Sequence, residues 1–187
     1  MDLKEHPHLI PTKEAFCFCC FTGLRYSDIA KLTKENIKGN HLLLNTQKTR
    51  DRLTIPLNDY AKEILKRNNY SLPVTTNQDT NRNLKDIGEY AKIKDPVMIV
   101  KYRGAEELRI AEPKYNFITT HTARRTFVTL SLEKGMRAET LMQITGHKSF
   151  KTLKKYIKIT DKVKSLEMDK VWKQEPIRKA KMKLLKS

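Results

Sequence analysis

The sequence contains no apolar run that approaches the ~20 residues a membrane-spanning helix requires. Its first seven residues, Met1 to Pro7, also lack the apolar segment of a secretory signal peptide, which predicts a cytoplasmic protein. No internal repeat is present either. The 187 residues therefore predict a single compact domain, built mostly of helices with one or two small hairpins.

Cysteine is scarce, and its placement is informative. The three cysteines, Cys17, Cys19 and Cys20, crowd into one apolar segment and cannot form a disulfide framework. No second Cys/His pair with ligand spacing follows, which argues against a zinc site. The histidines have no carboxylate cluster near them, which argues against a metal nuclease. We therefore predict buried thiols in a core helix, no metal and no cofactor.

Acidic side chains are few, with 21 Asp and Glu against 38 Lys and Arg, which leaves a formal charge of +17. Such an excess predicts a polyanionic partner. The surplus is largest in residues 148–187, which hold 14 basic and 4 acidic side chains. A basic end of this kind usually follows phosphates or an acidic membrane surface, and it can also be only a solvated face.

Local patterns predict the order of the elements. Apolar periodicity and cap residues predict helices over residues 12–22, 27–32, 58–67, 81–93, 121–134, 138–145 and 162–173, with one more beginning at Ser149. Strand-like segments predict two hairpins, over residues 41–56 and 96–110. The proline-containing residues 1–11 are predicted to be a linker, and the second hairpin an insertion beside the site.

The stretch from His121 to Tyr156 holds the residues with the clearest chemistry. His121 and Arg124 are three residues apart and share a helix face, and a glycine turn delivers His147 nine residues before Tyr156. With a reference pKa near 10, only about one tyrosine hydroxyl in a thousand is ionised at neutral pH. A base or clustered positive charge must offset that deficit, and the histidines supply the first while Arg25 and Arg124 supply the second.

These residue types suit attack on a phosphodiester. Two arginine forks match the non-bridging oxygens of a phosphate, on which charge develops during in-line displacement. The leaving 5′ oxygen needs a proton, and Lys48 at the tip of the first hairpin is the candidate acid. Each residue taken singly has a plainer explanation, such as a surface arginine or a packed tyrosine. The prediction depends on their joint order.

Five motifs in this order resemble the catalytic domain of the tyrosine recombinases, the phage integrase family, over roughly residues 12–160. The motifs are Thr22 to Asp28, Thr46 to Thr49, His121 to Arg124, Thr145 to His147, and Tyr156. Residues 97–127 and 144–149 are similar to integrases of Bacteroides-type mobile elements. The resemblance implies a mainly α fold with small β-hairpins, of the α+β class.

The resemblance also implies a role for each residue. Tyr156 would attack the scissile phosphate and leave a 3′-phosphotyrosine. Arg25, Arg124 and His147 would hold the phosphate oxygens. The remaining implied roles are proton transfer from the tyrosine by His121, protonation of the leaving group by Lys48, orientation of the site by Asp28, and DNA contacts by Arg50, Arg125, Lys148, Lys154 and Lys155.

Partners and organisation follow from the same resemblance. The expected partner is double-stranded DNA in the bacterial cytoplasm, at the nucleoid, and the expected assembly is a homo-tetramer on DNA, with a monomer as the free form and no membrane contact. Residues 1–160 would form the catalytic domain, and residues 161–187 a helix and basic tail that docks on a neighbouring subunit. Relatives usually carry an additional N-terminal helical domain, so we expect a catalytic fragment or a truncated protein, with weakened DNA affinity.

Two other functions fit the same residues. A type IB topoisomerase uses much the same chemistry but relaxes supercoils, and a DNA-binding module with an inactive site would keep the basic surface alone.

Overall fold

The computed structural model describes residues 3–46, 52–104, 106–154 and 161–172. Within these ranges the helices are α1 (Ile10–Thr22), α2 (Tyr26–Ile29), α3 (Asp59–Arg67), α4 (Asn77–Tyr90), α5 (Thr120–Glu133), α6 (Ala138–Thr145), α7 (Phe150–Lys154) and α8 (Asp161–Trp172). The strands are β1 (Ile37–Lys38), β2 (His41–Asn45), β3 (Arg52–Pro56), β4 (Pro96–Arg103) and β5 (Glu106–Pro113). Both sheets are antiparallel, in the orders β1-β2-β3 and β4-β5. The predicted mainly α fold with small hairpins is confirmed.

Helix α1 is the central helix of the core, as its apolar sequence predicts. Ala15, Phe18 and Cys19 are buried within it, and it packs along α5 and α3. Gly23 ends the helix with φ at 71°, in the left-handed region that a glycine adopts without a Cβ penalty. Burial raises the pKa of all three cysteine thiols in α1, which are therefore protonated at neutral pH.

The first predicted hairpin is confirmed as β2 and β3, whose register pairs Leu42 with Ile55. Both residues are buried against α1 and α3, while alternate residues of β3 are exposed. The short strand β1, which the sequence did not predict, pairs with the outer edge of β2. The tip of the hairpin, residues 47–51, lies outside the described residues.

The predicted cap residues gave the correct start for some helices and the wrong start for others. Asn58 begins α3 as predicted, since its side chain accepts a hydrogen bond from the Ala61 N–H at 3.0 Å. Helix α4 begins four residues before the predicted position, because Thr76 caps it by accepting from the Asp79 N–H at 3.1 Å. The prediction that Ser27 caps a helix reaching Leu32 is wrong. Ser27 lies inside α2, which ends at Ile29.

Residues 3–9 pack on the domain, which corrects the prediction of a linker. Leu3 and Leu9 are buried in a small cluster with Leu84 and Ile87 of α4. Because apolar side chains gain about 25 cal/mol per Å² on leaving water, these contacts fix the segment on α4.

The second half of the chain carries α5 and α6, whose bounds were predicted to within one residue. Gly146 ends α6 with φ at 66°, as the sequence indicated. The inward face of α5 was predicted only in part, since Ser131 is buried but Leu130 is 46% exposed. Val128 of this helix is fully buried, and it packs with Leu141 and Leu153.

Three features of this half lie at the surface. Ser149 precedes α7 and accepts a hydrogen bond from the Lys151 N–H at 3.2 Å, as predicted. Two residues of the predicted apolar face of α8, Val171 and Trp172, are 67% and 73% exposed. The hairpin of β4 and β5 contacts mainly itself and is largely exposed.

Among the helices of the described ranges, none has the length and apolar composition to cross a bilayer.

Candidate active site

Three parts of the chain meet at one cavity: α2 with the residue before it, the segment that leads into α4, and the first turns of α5. The cavity has a volume of about 570 Å³, and Arg25, His121 and Arg124 line it together. The other lining residues are Tyr26, Ser27, Ala30, Val74, Thr75, Asn77 and Thr120. Residues almost a hundred positions apart in sequence therefore face the same space.

Arg124 is the most constrained of these side chains, at 3% exposure. Its Nη1 donates to the Gly23 carbonyl at 2.9 Å, and its Nη2 donates to the Thr145 carbonyl at 2.6 Å. Both carbonyls stand at the C-terminal ends of helices, α1 and α6, where backbone dipoles concentrate negative charge. The two helix ends thus stabilise a buried cation and fix its orientation.

His147 packs directly on this guanidinium. Arg124 Nη2 lies 3.3 Å from Nδ1 and 3.2 Å from Nε2, and these nearly equal distances place the nitrogen over the ring instead of along one lone pair. Thr145 Oγ1 lies 2.6 Å from Nδ1. Burial, reinforced by the charges of Arg124, Arg25 and His121, lowers the pKa of His147 from 6.5 to about 4. The imidazole is therefore neutral at pH 7.

This lowered pKa makes stability depend on pH. Above pH 6.5 neither the folded nor the unfolded chain protonates His147, whereas between pH 6.5 and about 4 only the unfolded chain takes up the proton. We expect the free energy of unfolding to fall as the pH drops through this window, by about 3 kcal/mol in total from this residue. Urea titrations at several pH values should show a flatter dependence for His147→Gln, and identical slopes for the two proteins would contradict the assignment.

Arg25 is held at the cavity wall by Asp28. Its Nη1 lies 3.7 Å from Asp28 Oδ2, and the carboxylate side chain is 1% exposed. Among the residues that the structure describes, no hydrogen-bond acceptor reaches the buried Nη1 of Arg25. A buried donor in this state is costly unless a ligand supplies the acceptor. Asp28 is thus placed to orient Arg25, whose side chain lines the cavity.

His121 is exposed at the start of α5, where a network fixes the backbone. The Thr119 N–H donates to Thr122 Oγ1 at 3.0 Å, which forms one half of a capping box. The Thr120 N–H donates to Asn81 Oδ1 at 2.9 Å, tying α5 to α4. The first turn of α5, and with it the position of His121 on the cavity wall, is set by these bonds.

Sequence reasoning missed the wall that α4 contributes. Thr75 and Asn77 line the cavity, and Asn77 Oδ1 accepts from the Thr120 hydroxyl at 3.1 Å. Both residues fall between the predicted helices over residues 58–67 and 81–93. The overlooked signal was the Thr76-x-x-Asp79 capping pattern, which begins α4 beside the site.

The remaining predicted residues lie elsewhere. Arg125, Lys148 and Lys154 are exposed. The two predicted reactive residues of the hairpin tip and of the chain after α7, Lys48 and Tyr156, lie outside the described residues, as do Arg50 and Lys155. In the described ranges no three His, Cys, Asp or Glu side chains are grouped closely enough to share a metal ion.

Several solved structures share this fold. XerA recombinase superposes with a TM-score of 0.59 at 16% identity, over 88% of this chain and 64% of that one. A lambda integrase dimer bound to a COC′ core site gives 0.58 at 18% identity, over 82% and 53%. The Tn1549 transposon integrase in complex with circular intermediate DNA gives 0.53 at 21% identity, over 84% and 57%. The chain therefore spans between about half and two thirds of the length of these proteins.

Family membership comes from the sequence match. No curated protein matches the chain. Residues 1–162, however, match the phage integrase family, and that range includes every residue of the cavity wall. The chain belongs to the phage integrase family.

Proposed function

We propose that this chain is the catalytic domain of a site-specific DNA recombinase that cleaves and rejoins DNA through a 3′-phosphotyrosine link. The observation that carries the proposal is the single cavity lined by Arg25, His121 and Arg124, with His147 packed on Arg124. Two guanidiniums facing one space fit the non-bridging oxygens of one phosphate. Arg25 is oriented at the cavity wall by Asp28, whose Oδ2 lies 3.7 Å from Arg25 Nη1.

In the proposed reaction the Tyr156 oxygen forms a bond to phosphorus while the bond to the 5′ oxygen breaks. The phenol proton passes to His121, and Lys48 gives a proton to the departing 5′ oxygen. Arg25, Arg124 and His147 stabilise the charge that grows on the non-bridging oxygens. Reversal onto another 5′ hydroxyl restores a phosphodiester without ATP, because the phosphotyrosine conserves the bond energy. The step also needs no metal ion, because the side chains named above supply the proton transfers and the charge stabilisation.

The charge distribution supports duplex DNA as the partner. The chain carries a net +17, and the exposed Arg125, Lys148 and Lys154 belong to the predicted contact surface together with Arg50 and Lys155. Structural neighbours are described as bound to a core site or to circular intermediate DNA. Neutralised phosphates release counterions, so binding should weaken steeply with salt.

The organisation of the protein is part of the same proposal. Residues 1–160 would act as the catalytic domain, with residues 3–9 packed on it, and residues 161–187 would dock on a neighbouring subunit in a tetramer on DNA. We also propose kinship with the integrases of Bacteroides-type mobile elements, on the sequence of residues 97–127 and 144–149.

The test is a covalent trap. A pool of nicked duplexes with randomised sequence loses the short 5′ fragment after cleavage, so that protein remains attached to the 3′ phosphate. We expect adducts in the presence of chelator, attached through Tyr156 when the peptide is mapped by mass spectrometry, and none with Tyr156→Phe.

Other results would redirect the assignment. If the pool binds but no adduct forms, the chain is a DNA-binding module with an inactive site. If adducts form and plasmids are relaxed without exchange between two sites, the topoisomerase alternative is correct. An adduct on a residue other than Tyr156 would overturn the proposed nucleophile.

A further inference from the structure

Thr145 contacts three parts of the candidate site: Arg124, His147 and the turn at Gly23. It is 1% exposed, at the last position of α6. Its carbonyl accepts the hydrogen bond from Arg124 at 2.6 Å, and its hydroxyl lies 2.6 Å from His147 Nδ1. Its methyl group points at Gly23, where an added Cβ would be 2.9 Å away. One side chain therefore contacts both the histidine and the turn that orients Arg124.

The single proton of the Thr145 hydroxyl decides the direction of its hydrogen bond with His147 Nδ1. The Thr145 hydroxyl also lies 2.6 Å from the Leu141 carbonyl, which can only accept. The hydroxyl has a single proton, and it must be donated to Leu141 if both bonds are made. Thr145 Oγ1 then accepts from His147, so the proton of the neutral imidazole is on Nδ1.

We propose that Thr145 is a positioning residue that holds His147 in the Nδ1–H tautomer and so makes Nε2 the nitrogen that meets the reacting phosphate. This inference rests on the proposed function, in which His147 holds a phosphate oxygen. An imidazole has two nitrogens, and the partner of one decides the protonation of the other.

The arrangement suits a histidine that gains its second proton only with substrate. Arg124 and His121 on α5 and Arg25 before α2 are the charged or titratable groups that act on the ring, and they oppose a positive charge in the absence of DNA. An entering phosphate reverses that balance, and Nε2 can then take up a proton and donate it to a phosphate oxygen. Nδ1–H keeps its acceptor throughout, because Thr145 Oγ1 accepts in both states.

Two substitutions at Thr145 distinguish the role of its hydroxyl from that of its methyl group. Thr145→Val keeps both branches at Cβ, and with them the contact to Gly23, but removes the acceptor for Nδ1–H. Thr145→Ser keeps the hydroxyl and removes the methyl group. A merely structural role of Thr145 predicts that serine is the more damaging change, and the positioning role predicts that valine is.

The first measurement needs no variant and no DNA. Ring nitrogens of a neutral histidine have widely separated ¹⁵N shifts depending on which carries the proton. In the free protein at pH 7 we expect His147 to show a protonated Nδ1 and an unprotonated Nε2. Thr145→Ser should keep this pattern, while Thr145→Val should shift it toward the other tautomer. A protonated Nε2 in the unmodified protein would overturn the inference.

The second measurement is the single-turnover rate of adduct formation on the nicked duplex. Hydrogen-bond partners that orient metal-binding histidines affect function by about 10–100-fold. By analogy we expect a loss of similar size in Thr145→Val and most of the rate in Thr145→Ser. Equal rates in the unmodified protein and Thr145→Val would also overturn the inference. If the unmodified protein forms no adduct, the proposed function fails, and the tautomer still decides whether Thr145 orients His147.

Discussion

Replacing Arg124 by lysine is expected to lower the rate of covalent adduct formation by about 10²–10³-fold, the usual loss when one preorganised donor to a developing oxyanion is removed. Lysine keeps the charge, but its donors all radiate from one nitrogen, and it cannot reproduce the planar, two-pronged geometry of a guanidinium. It cannot reach the Gly23 and Thr145 carbonyls at once as Arg124 does at 2.9 and 2.6 Å. The phosphate contact and its support are therefore lost together.

The same substitution should also destabilise the fold. One of the two buried carbonyls loses its partner, and an unpaired buried acceptor costs about 1–3 kcal/mol. A catalytic loss alone, with unchanged unfolding in urea, would mean that the helix ends do not depend on Arg124. Single-turnover assays and urea titrations on the same preparations distinguish these results.

Arg67→Lys provides the control for Arg124→Lys. Arg67 is 55% exposed in its side chain and lies on α3, where it pairs with Glu63 at 3.0 Å and with Glu14 at 3.2 Å. Exposed ion pairs contribute little to stability, so we expect both the rate and the unfolding midpoint to change little. An equal loss of activity in the two lysine variants would contradict a special position for Arg124.

Replacing Gly23 by alanine is expected to have the largest effect on stability, about 2–5 kcal/mol. Gly23 has φ at 71°, a conformation that costs an L-residue about 1–2 kcal/mol. An added Cβ would also lie 2.4 Å from Phe127 Cδ1 and 2.9 Å from Thr145 Cγ2, and overpacking of this kind costs about 1–3 kcal/mol. The displaced groups flank Arg124, so adduct formation should fall as well.

Gly39→Ala isolates the backbone contribution in the same measurement. Gly39 has a similar φ of 59°, but no heavy atom among its surroundings in the described structure lies within 4 Å of the added Cβ. It should therefore show the backbone penalty alone. Urea titrations that give equal losses for the two alanine variants would show that Phe127 and Thr145 relax without cost.

Much of the fold was readable from local signals. Asn58 before α3 and Gly146 after α6 act through hydrogen bonds or dihedral angles of their own residue, and both were placed correctly. The burial of Leu3 and Leu9 and the exposure of Trp172 depend on distant neighbours, which a periodic pattern does not identify. Tertiary contacts decided these positions.

The candidate site was likewise predicted from the sequence only in part. The order of the motifs predicted which charged side chains would meet, and Arg25, His121 and Arg124 do line one cavity. The acceptors that hold Arg124 are backbone carbonyls, and these carry no signature in the sequence. Thr145 was visible only as part of a motif, because its role comes from a hydroxyl already committed to Leu141.

The hydrogen bonds that join Arg124 to two helix ends have an evolutionary consequence. If the proposed function holds, a copy of this gene that had lost its activity would be free to drift at His121, which is exposed. Arg124 cannot drift as easily, since its removal leaves the ends of α1 and α6 without their shared cation. Decayed relatives should therefore retain this arginine well after their chemistry has disappeared, and its presence by itself is poor evidence of a working enzyme.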